Sequence, residues 1–408
     1  MARIRKVFIA LFFVVFIFMM SGVNTKADDQ LYLSDGTPMY YKGTNIAVTI
    51  PDSFQMQETY YRGCWVTPLA GCLPKCTDSN SSIVSYKQEI LEMFDVMEYY
   101  NLNALIFHIR IYNDALYPSE LNPKSSYMST SQDLLPWIIK ECHKRGIEFH
   151  AWLNPYRVKS SGGSSVTEEA SKIKAKCPAN VGSNPDNLLI NSSGGVILNP
   201  GIPEVRDFIV ETCMEVIEKY DVDAIHFDDY FYITGVDDST TQAKYNTEGL
   251  SEGDFRRKQV DLFIEQLSQA MRDYNEKNNR FVQLGISPSG IYRNGDGVVT
   301  YDENGNAITT GSKTGGMQHW GNYLYSDTVN WINHEWIDYI MPQSYWAFSQ
   351  PIAGFADVMS WWDKVCARKN VNLYSGMGIY MSENPGSNWA PKEPASPIYT
   401  PSFLRMGY

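Results

Sequence analysis

From Glu58 onward, short apolar and β-branched runs alternate with longer stretches whose apolar positions recur every three or four residues. Seven runs read as strands: residues 62–68, 103–110, 148–155, 224–231, 282–288, 339–345 and 374–380. Residues 83–100, 132–145, 204–220 and 255–275 read as helices between them. Pro203 stands where a helix would start, and Gly146 follows Lys144-Arg145 where one would stop. Strands alternating with helices predict an α/β fold with a parallel sheet under a helical coat. The series suits a (β/α)8 TIM-type barrel over residues 58–384. A doubly wound open sheet is the alternative, but the first strand lacks the glycine-rich turn it would need.

Polar residues gather at the C-terminal ends of these strands. They include Trp65-Val66-Thr67, His108-Ile109-Arg110, Asn154-Pro155-Tyr156-Arg157, His226-Phe227-Asp228-Asp229-Tyr230, Ser287-Pro288-Ser289 and Gln343-Ser344-Tyr345-Trp346. Barrels of this class carry their active sites on that rim. His226, Asp228 and Tyr230 share one face of the fourth strand. Asp229 joins them only if the strand ends or bulges there. Two adjacent aspartates are either a solvated loop start or a pair in which like charge raises one pKa. Arg62, Arg110 and Arg157 lie at strand starts or ends. Arg110 shares parity with His108 and is expected in the pocket, paired with an aspartate or a substrate carboxylate. His108, His150 and His226 fall on three consecutive strands. They form either a hydrogen-bonded core layer or, as an alternative, a metal-binding layer. No serine nucleophile elbow is present, because Pro288 follows Ser287.

The N-terminus changes the picture of location. Arg3, Arg5 and Lys6 precede an apolar run from Val7 to Met20, and Thr25-Lys26-Ala27 offers a cleavage site. That order is a secretory signal peptide over residues 1–27, with the apolar run too short for a membrane anchor. The expectation is an exported protein with no anchor after cleavage. Residues 28–57 are turn-rich and read as an extension with one strand-like run, 45–50. Removing residues 1–27 takes four basic residues and no acidic ones from 34 basic and 46 acidic, so net charge moves from −12 to −16 (30 − 46). A chain this acidic, without a basic run, is not built for a nucleic acid. The seven cysteines are odd in number, so a monomer keeps at least one free thiol; a Cys72–Cys76 bridge is conceivable. Residues 385–408 hold five prolines and end abruptly, so the barrel reads as truncated after strand 7 with an irregular tail.

Several of these segments together resemble a known family. They are Arg62-Gly63-Cys64-Trp65, Asp114-Ala115-Leu116-Tyr117-Pro118-Ser119, His150-Ala151-Trp152-Leu153-Asn154-Pro155-Tyr156-Arg157, Leu198-Asn199-Pro200-Gly201, His226 to Tyr232, and Pro342-Gln343-Ser344-Tyr345-Trp346. In this order they are similar to glycosyl-hydrolase-like family 10, a group of exported bacterial barrel proteins. The resemblance implies a glycosidase acting on a glycan, and some members act on peptidoglycan glycan strands stripped of peptides. Asp228 and Asp229 are then the expected catalytic pair. Substrate-binding residues are expected among Arg62, Trp65, Arg110, Asp114, Asn154, Tyr156, Arg157, His226, Tyr230, Gln343, Tyr345 and Trp346. No cofactor or metal is expected. An adjacent Asp-Asp pair resembles the substrate-assisted N-acetylhexosaminidases, in which the sugar's acetamido group attacks. On that scheme Asp228 orients the acetamido group and Asp229 is the acid, its pKa raised by Asp228. A non-catalytic glycan-binding barrel and a metal-dependent hydrolase using the histidine layer are the alternatives.

Overall fold

The computed structural model describes residues 29–33, 35–50, 59–321 and 324–378. The signal peptide, Glu383, residues 379–380 of the expected last strand and the tail at 385–408 lie outside the described residues.

Seven parallel strands pair in chain order: β1 (Gly63–Val66), β2 (Ala104–Arg110), β3 (Glu148–Leu153), β4 (Ala224–Phe227), β5 (Gln283–Ile286), β6 (Tyr339–Ile340) and β7 (Asn372–Leu373). A helix leads back to the next strand after each of the first six: α1 (Asn80–Tyr99), α2 (Leu135–His143), α3 (Pro203–Lys219), α4 (Glu252–Asn278), α5 (Thr328–Asn333) and α6 (Phe355–Cys366), with further helices Val166–Lys176 after β3 and Ser239–Tyr245 after β4. In a flat sheet β1 and β7 would lie about 29 Å apart, six spacings of ~4.8 Å. Instead Tyr61, before β1, stacks on Tyr374, after β7, with ring centroids 4.3 Å apart. The sheet is curled as a barrel. Its strand order never reverses, which removes the doubly wound alternative.

Side-chain parity builds two layers from each strand. Leu105, Phe107 and Ile109 of β2 and Phe149, Ala151 and Leu153 of β3 join the core beneath the helices, with Phe94, Ile138, Ile209 and Phe263. The intervening residues face the lumen, where Ile106, Ala224, Tyr339 and Met341 cluster with Tyr61, Trp65, Trp152 and Tyr374. Both faces of β2 are buried, so it reads as a continuous apolar run, as parallel strands do. Ser79 caps α1 and Ser251 caps α4, each side chain accepting a backbone N–H from the first turn. Gly285 allows one close approach. A Cβ there would sit 1.8 Å from the Tyr339 ring, which crosses over the β5 backbone.

Loops at the C-terminal ends carry structure that periodicity did not announce. After β3, the segments Arg157–Lys159, Leu188–Ile190 and Val196–Leu198 form an antiparallel sheet, with the helix Val166–Lys176 beside it. After β5 comes the hairpin Val299–Tyr301/Ala307–Thr309. The last strand also begins earlier than expected, at Asn372, which pairs with Tyr339. In the N-terminal segment, Asp29–Gln30 pairs with Thr49–Ile50. Leu31 and Val48 pack there on Phe348, Phe355, Ala356 and Met359. All seven cysteines are free, with Cys72 exposed and Cys76 buried.

Candidate active site

β4 ends at Phe227, so Asp228 and Asp229 open the loop that follows it. This early ending lets two consecutive carboxyls turn toward the same mouth. Asp228 is buried, and Asp229 is half-buried beside it. An Asp228 oxygen accepts the Tyr230 N–H at 3.2 Å. Burial raises the pKa of Asp228, and the charge of Asp229 raises it further. The Arg157 guanidinium, the Tyr230 N–H and the Trp152 indole oppose that rise. Burial raises Asp229 too, against its own backbone N–H and Arg157. Both carboxyls are therefore pushed above the ordinary carboxylate range, with Asp228 the more deeply buried of the two.

Arg157 comes from the first strand of the small sheet after β3 and lies 3.3 Å from the Tyr230 ring centroid. Its charge acts on Asp228, Asp229, Tyr230 and His108. Tyr230 is 40% exposed and forms the outer wall. His108 is buried and stacks on Trp152, with centroids 3.7 Å apart and planes 7° from parallel. Its Nδ1 meets Thr67 Oγ1 at 3.0 Å. Burial and then the Arg157 charge hold its pKa well below the ordinary histidine value, so the ring is neutral. His108 Nε2 and Asn154 Oδ1 are both buried without a hydrogen-bond partner among the described residues, and the Trp152 indole faces Asp228.

The other expected residues separate into three groups. Trp65, Gln343 and Asp114 stand at or near the rim. The Trp65 indole N–H donates to His226 Nε2 at 3.3 Å, the Gln343 amide donates to the Ser287 carbonyl at 2.8 Å, and Asp114 accepts the Tyr112 N–H. Asn154, in the loop after β3, donates to the Ile111 carbonyl at 2.8 Å and keeps its oxygen open. Tyr345 and Trp346 are partly buried after β6, where Trp346 lies against Gly290.

Three expectations fail. Arg62 lies at the opposite, N-terminal end of β1 and donates to the Asn101 and Tyr60 carbonyls. It does not line the rim. Arg110 is fully buried, donating to Asn122 and Asn113 side chains and to the Asn154 and Pro155 carbonyls. A register shift between His108 and Arg110 turns it from the lumen into the wall, so it meets no aspartate and no substrate. Tyr156 is also core, its ring edge-on to Phe263 at 5.6 Å. The histidine layer does not converge as a metal site would. His150 and His226 turn to the Tyr339 hydroxyl, and His108 turns to Thr67.

Trp152 was not among the expected site residues, and Ser287 was noted at the rim without a role. Trp152 sits between His150 and Asn154 in the same inward parity, and that alternation was the signal available. A surface hollow lined by Pro136, Lys140, His143 and Lys219 lies on the flank of α2, far from this chemistry.

A family model described as Glycosyl hydrolase-like 10 matches residues 61–392. Glycosyl hydrolase YngK of Bacillus subtilis (strain 168) is 34% identical over 316 residues, 74% of this chain and 58% of that protein. The chain thus spans less than two thirds of YngK. Glycosyl hydrolase DigH of Escherichia coli (strain K12) is 29% identical over 360 residues, 82% of this chain and 76% of that protein. The PgaB (BpsB) glycoside hydrolase domain of Bordetella bronchiseptica is 12% identical, with a TM-score of 0.44 over 76% of this chain and 80% of that one. That last likeness is too remote to bear on the site.

Proposed function

The chain belongs to the glycosyl hydrolase-like 10 family, and from that premise we propose that it is an exported glycoside hydrolase acting on an N-acetylated glycan, with peptidoglycan glycan strands as its substrate. The observation that carries this reading is the adjacent Asp228–Asp229 pair just past the end of β4, the first buried and the second half-buried, with both pKa values raised. Such a pair holds one proton and one negative charge near neutral pH. Glycoside cleavage by substrate assistance needs those two things. Protonated Asp228 gives its proton to the leaving glycosidic oxygen as the C1–O bond breaks. The acetamido oxygen bonds to C1 in its place, and the Asp229 carboxylate holds the acetamido N–H. Water then adds at C1, opens the ring so formed, and returns a proton to Asp228. Arg157 keeps the second carboxyl ionised. Tyr230 and Trp65 offer apolar faces suited to sugar rings.

The test is incubation of the signal-free chain with purified, peptide-free peptidoglycan glycan strands, with products weighed by mass spectrometry. Release of shorter saccharides that stops in Asp228→Asn supports the reading. Glycan binding without release makes the chain a non-catalytic binder. Glu383→Gln should leave turnover within about twofold; its loss would mean a second carboxylate on another strand is required.

A further inference from the structure

Beneath the aspartates a single file of hydrogen bonds runs along the barrel axis. Ser287 Oγ and the Trp65 indole nitrogen both meet His226 Nε2, at 2.9 and 3.3 Å. His226 Nδ1 lies 2.8 Å from the Tyr339 hydroxyl, which lies 2.8 Å from His150 Nδ1. His150 Nε2 lies 2.9 Å from a Glu148 carboxylate oxygen. His226, Tyr339 and His150 are fully buried. The Glu148 side chain is 49% exposed and begins β3, so it stands at the opposite mouth from the aspartates.

The two ends fix the direction of every bond. An indole N–H can only donate, so His226 Nε2 carries no proton. Burial keeps His226 neutral, so its proton is on Nδ1 and is donated to the Tyr339 oxygen. Burial likewise keeps the phenol protonated. Its one hydrogen must therefore go onward to His150 Nδ1. His150 Nε2–H is left to donate to Glu148, and a carboxylate only accepts. Seven atoms in line meet without two donors or two acceptors opposed. The other tautomer of His226 would set one N–H against another at Trp65. At the upper end, the Ser287 hydroxyl donates to the same Nε2 at 2.9 Å, sharing its lone pair with the Trp65 N–H, and has the Phe227 carbonyl at 3.5 Å as its other acceptor. Ser287 follows β5 by one residue as Asp228 follows β4, and Ile286 pairs with Phe227, so the two stand side by side.

We propose that Glu148, His150 and Tyr339 are positioning residues that lock His226 as its Nδ1–H tautomer, thereby fixing the Trp65 indole and turning the Ser287 hydroxyl proton away from Asp228. Ser287 then offers Asp228 and the sugar only an acceptor. The activity arm of the test rests on the glycosidase reading; the spectroscopic arm does not.

The experiment uses the signal-free chain labelled with 15N at histidine and tryptophan, with signals assigned through His→Gln and Trp→Phe variants. Long-range 15N–1H correlation at neutral pH should show His226 as the Nδ1–H tautomer and His150 as the Nε2–H tautomer. Finding His226 as the Nε2–H form or as imidazolium overturns the wiring. Tyr339→Phe removes one oxygen from the file. It should leave both rings as tautomer mixtures, shift the Trp65 Nε1–H resonance, and lower kcat about 10-fold with KM within about twofold. Unchanged Trp65 resonance and kcat, with the rings released, would overturn the positioning role. If Tyr339→Phe fails to fold, Glu148→Leu at the exposed end should release the same two tautomers, and locked rings there overturn the proposal. A wild-type chain that cleaves no glycan yet shows the expected tautomers sinks the glycosidase reading and leaves the wiring standing.

Discussion

The file from Ser287 to Glu148 and the rim just above it use similar residues and reach opposite states. In the file, every ring nitrogen and hydroxyl of His226, Tyr339 and His150 has a partner within 2.9 Å. At the rim, His108 Nε2 and Asn154 Oδ1 have none among the described residues, and two carboxyls crowd one arginine. A buried polar group without a partner costs about 1–3 kcal/mol. Saturated polar groups hold a shape; open ones invite a ligand to complete them. His226 and Asp228 show how abrupt the change is. They lie two residues apart, the first on β4 and the second just past its end, and the first is closed while the second is crowded by like charge.

The largest effect should come from opening the closed region. His226→Leu strands the Trp65 indole, the Ser287 hydroxyl and Tyr339, and should cost roughly 3 kcal/mol or more. Denaturant unfolding checks it, and a change below about 1 kcal/mol would erase the contrast. Closing the strained region should act on rate instead. Asp228→Asn and Asp229→Asn should each lower kcat about 10²-fold or more, with the fold intact. A substrate with an activated leaving group, needing no acid, should restore Asp228→Asn and leave Asp229→Asn slow. The opposite pattern returns the acid role to Asp229.

A smaller effect is expected in the pH dependence of stability. Asp228 has a folded pKa above its unfolded value, so the folded state binds that proton more tightly. Its contribution is complete below the unfolded carboxylate value, near 4, and is lost as pH rises toward the folded value. Asp228→Asn should therefore match wild type near pH 4 and exceed it by more than about 1 kcal/mol at pH 8. Equal stability at both pH values would show the carboxyl to be ordinary. The smallest effect belongs to Arg62→Ala. It removes contacts at the far mouth, and kcat/KM should stay within about twofold, with stability within roughly 0.5 kcal/mol.

The βα alternation was legible because each strand is apolar on both faces and each helix on one. The strand order and the rim followed from it. Arg157, Asp228 and Trp65 were found by strand-end position alone. Arg110 and Tyr156 were misplaced because parity assumes an unbroken pleat. The register shift after His108 and the turn after Leu153 rotate both side chains into the wall. Arg62 was misplaced because a charge at a strand start and one at a strand end look alike in a sequence. The small sheet after β3 was invisible for another reason. Its strands have three residues each, too few for any periodicity to register. The difference in depth between Asp228, which is buried, and Asp229, which is half-buried, is encoded by no local pattern.

Gly285 and Tyr339 belong to neighbouring strands, yet they cannot vary independently. With the phenol ring lying where any Cβ at 285 would go, alanine there is admissible only once residue 339 has become small. The reverse order passes through a chain that cannot close its lumen. Substitutions at the two positions should therefore be non-additive: a side chain at 285 is expected to be tolerated after residue 339 has become small, and not before.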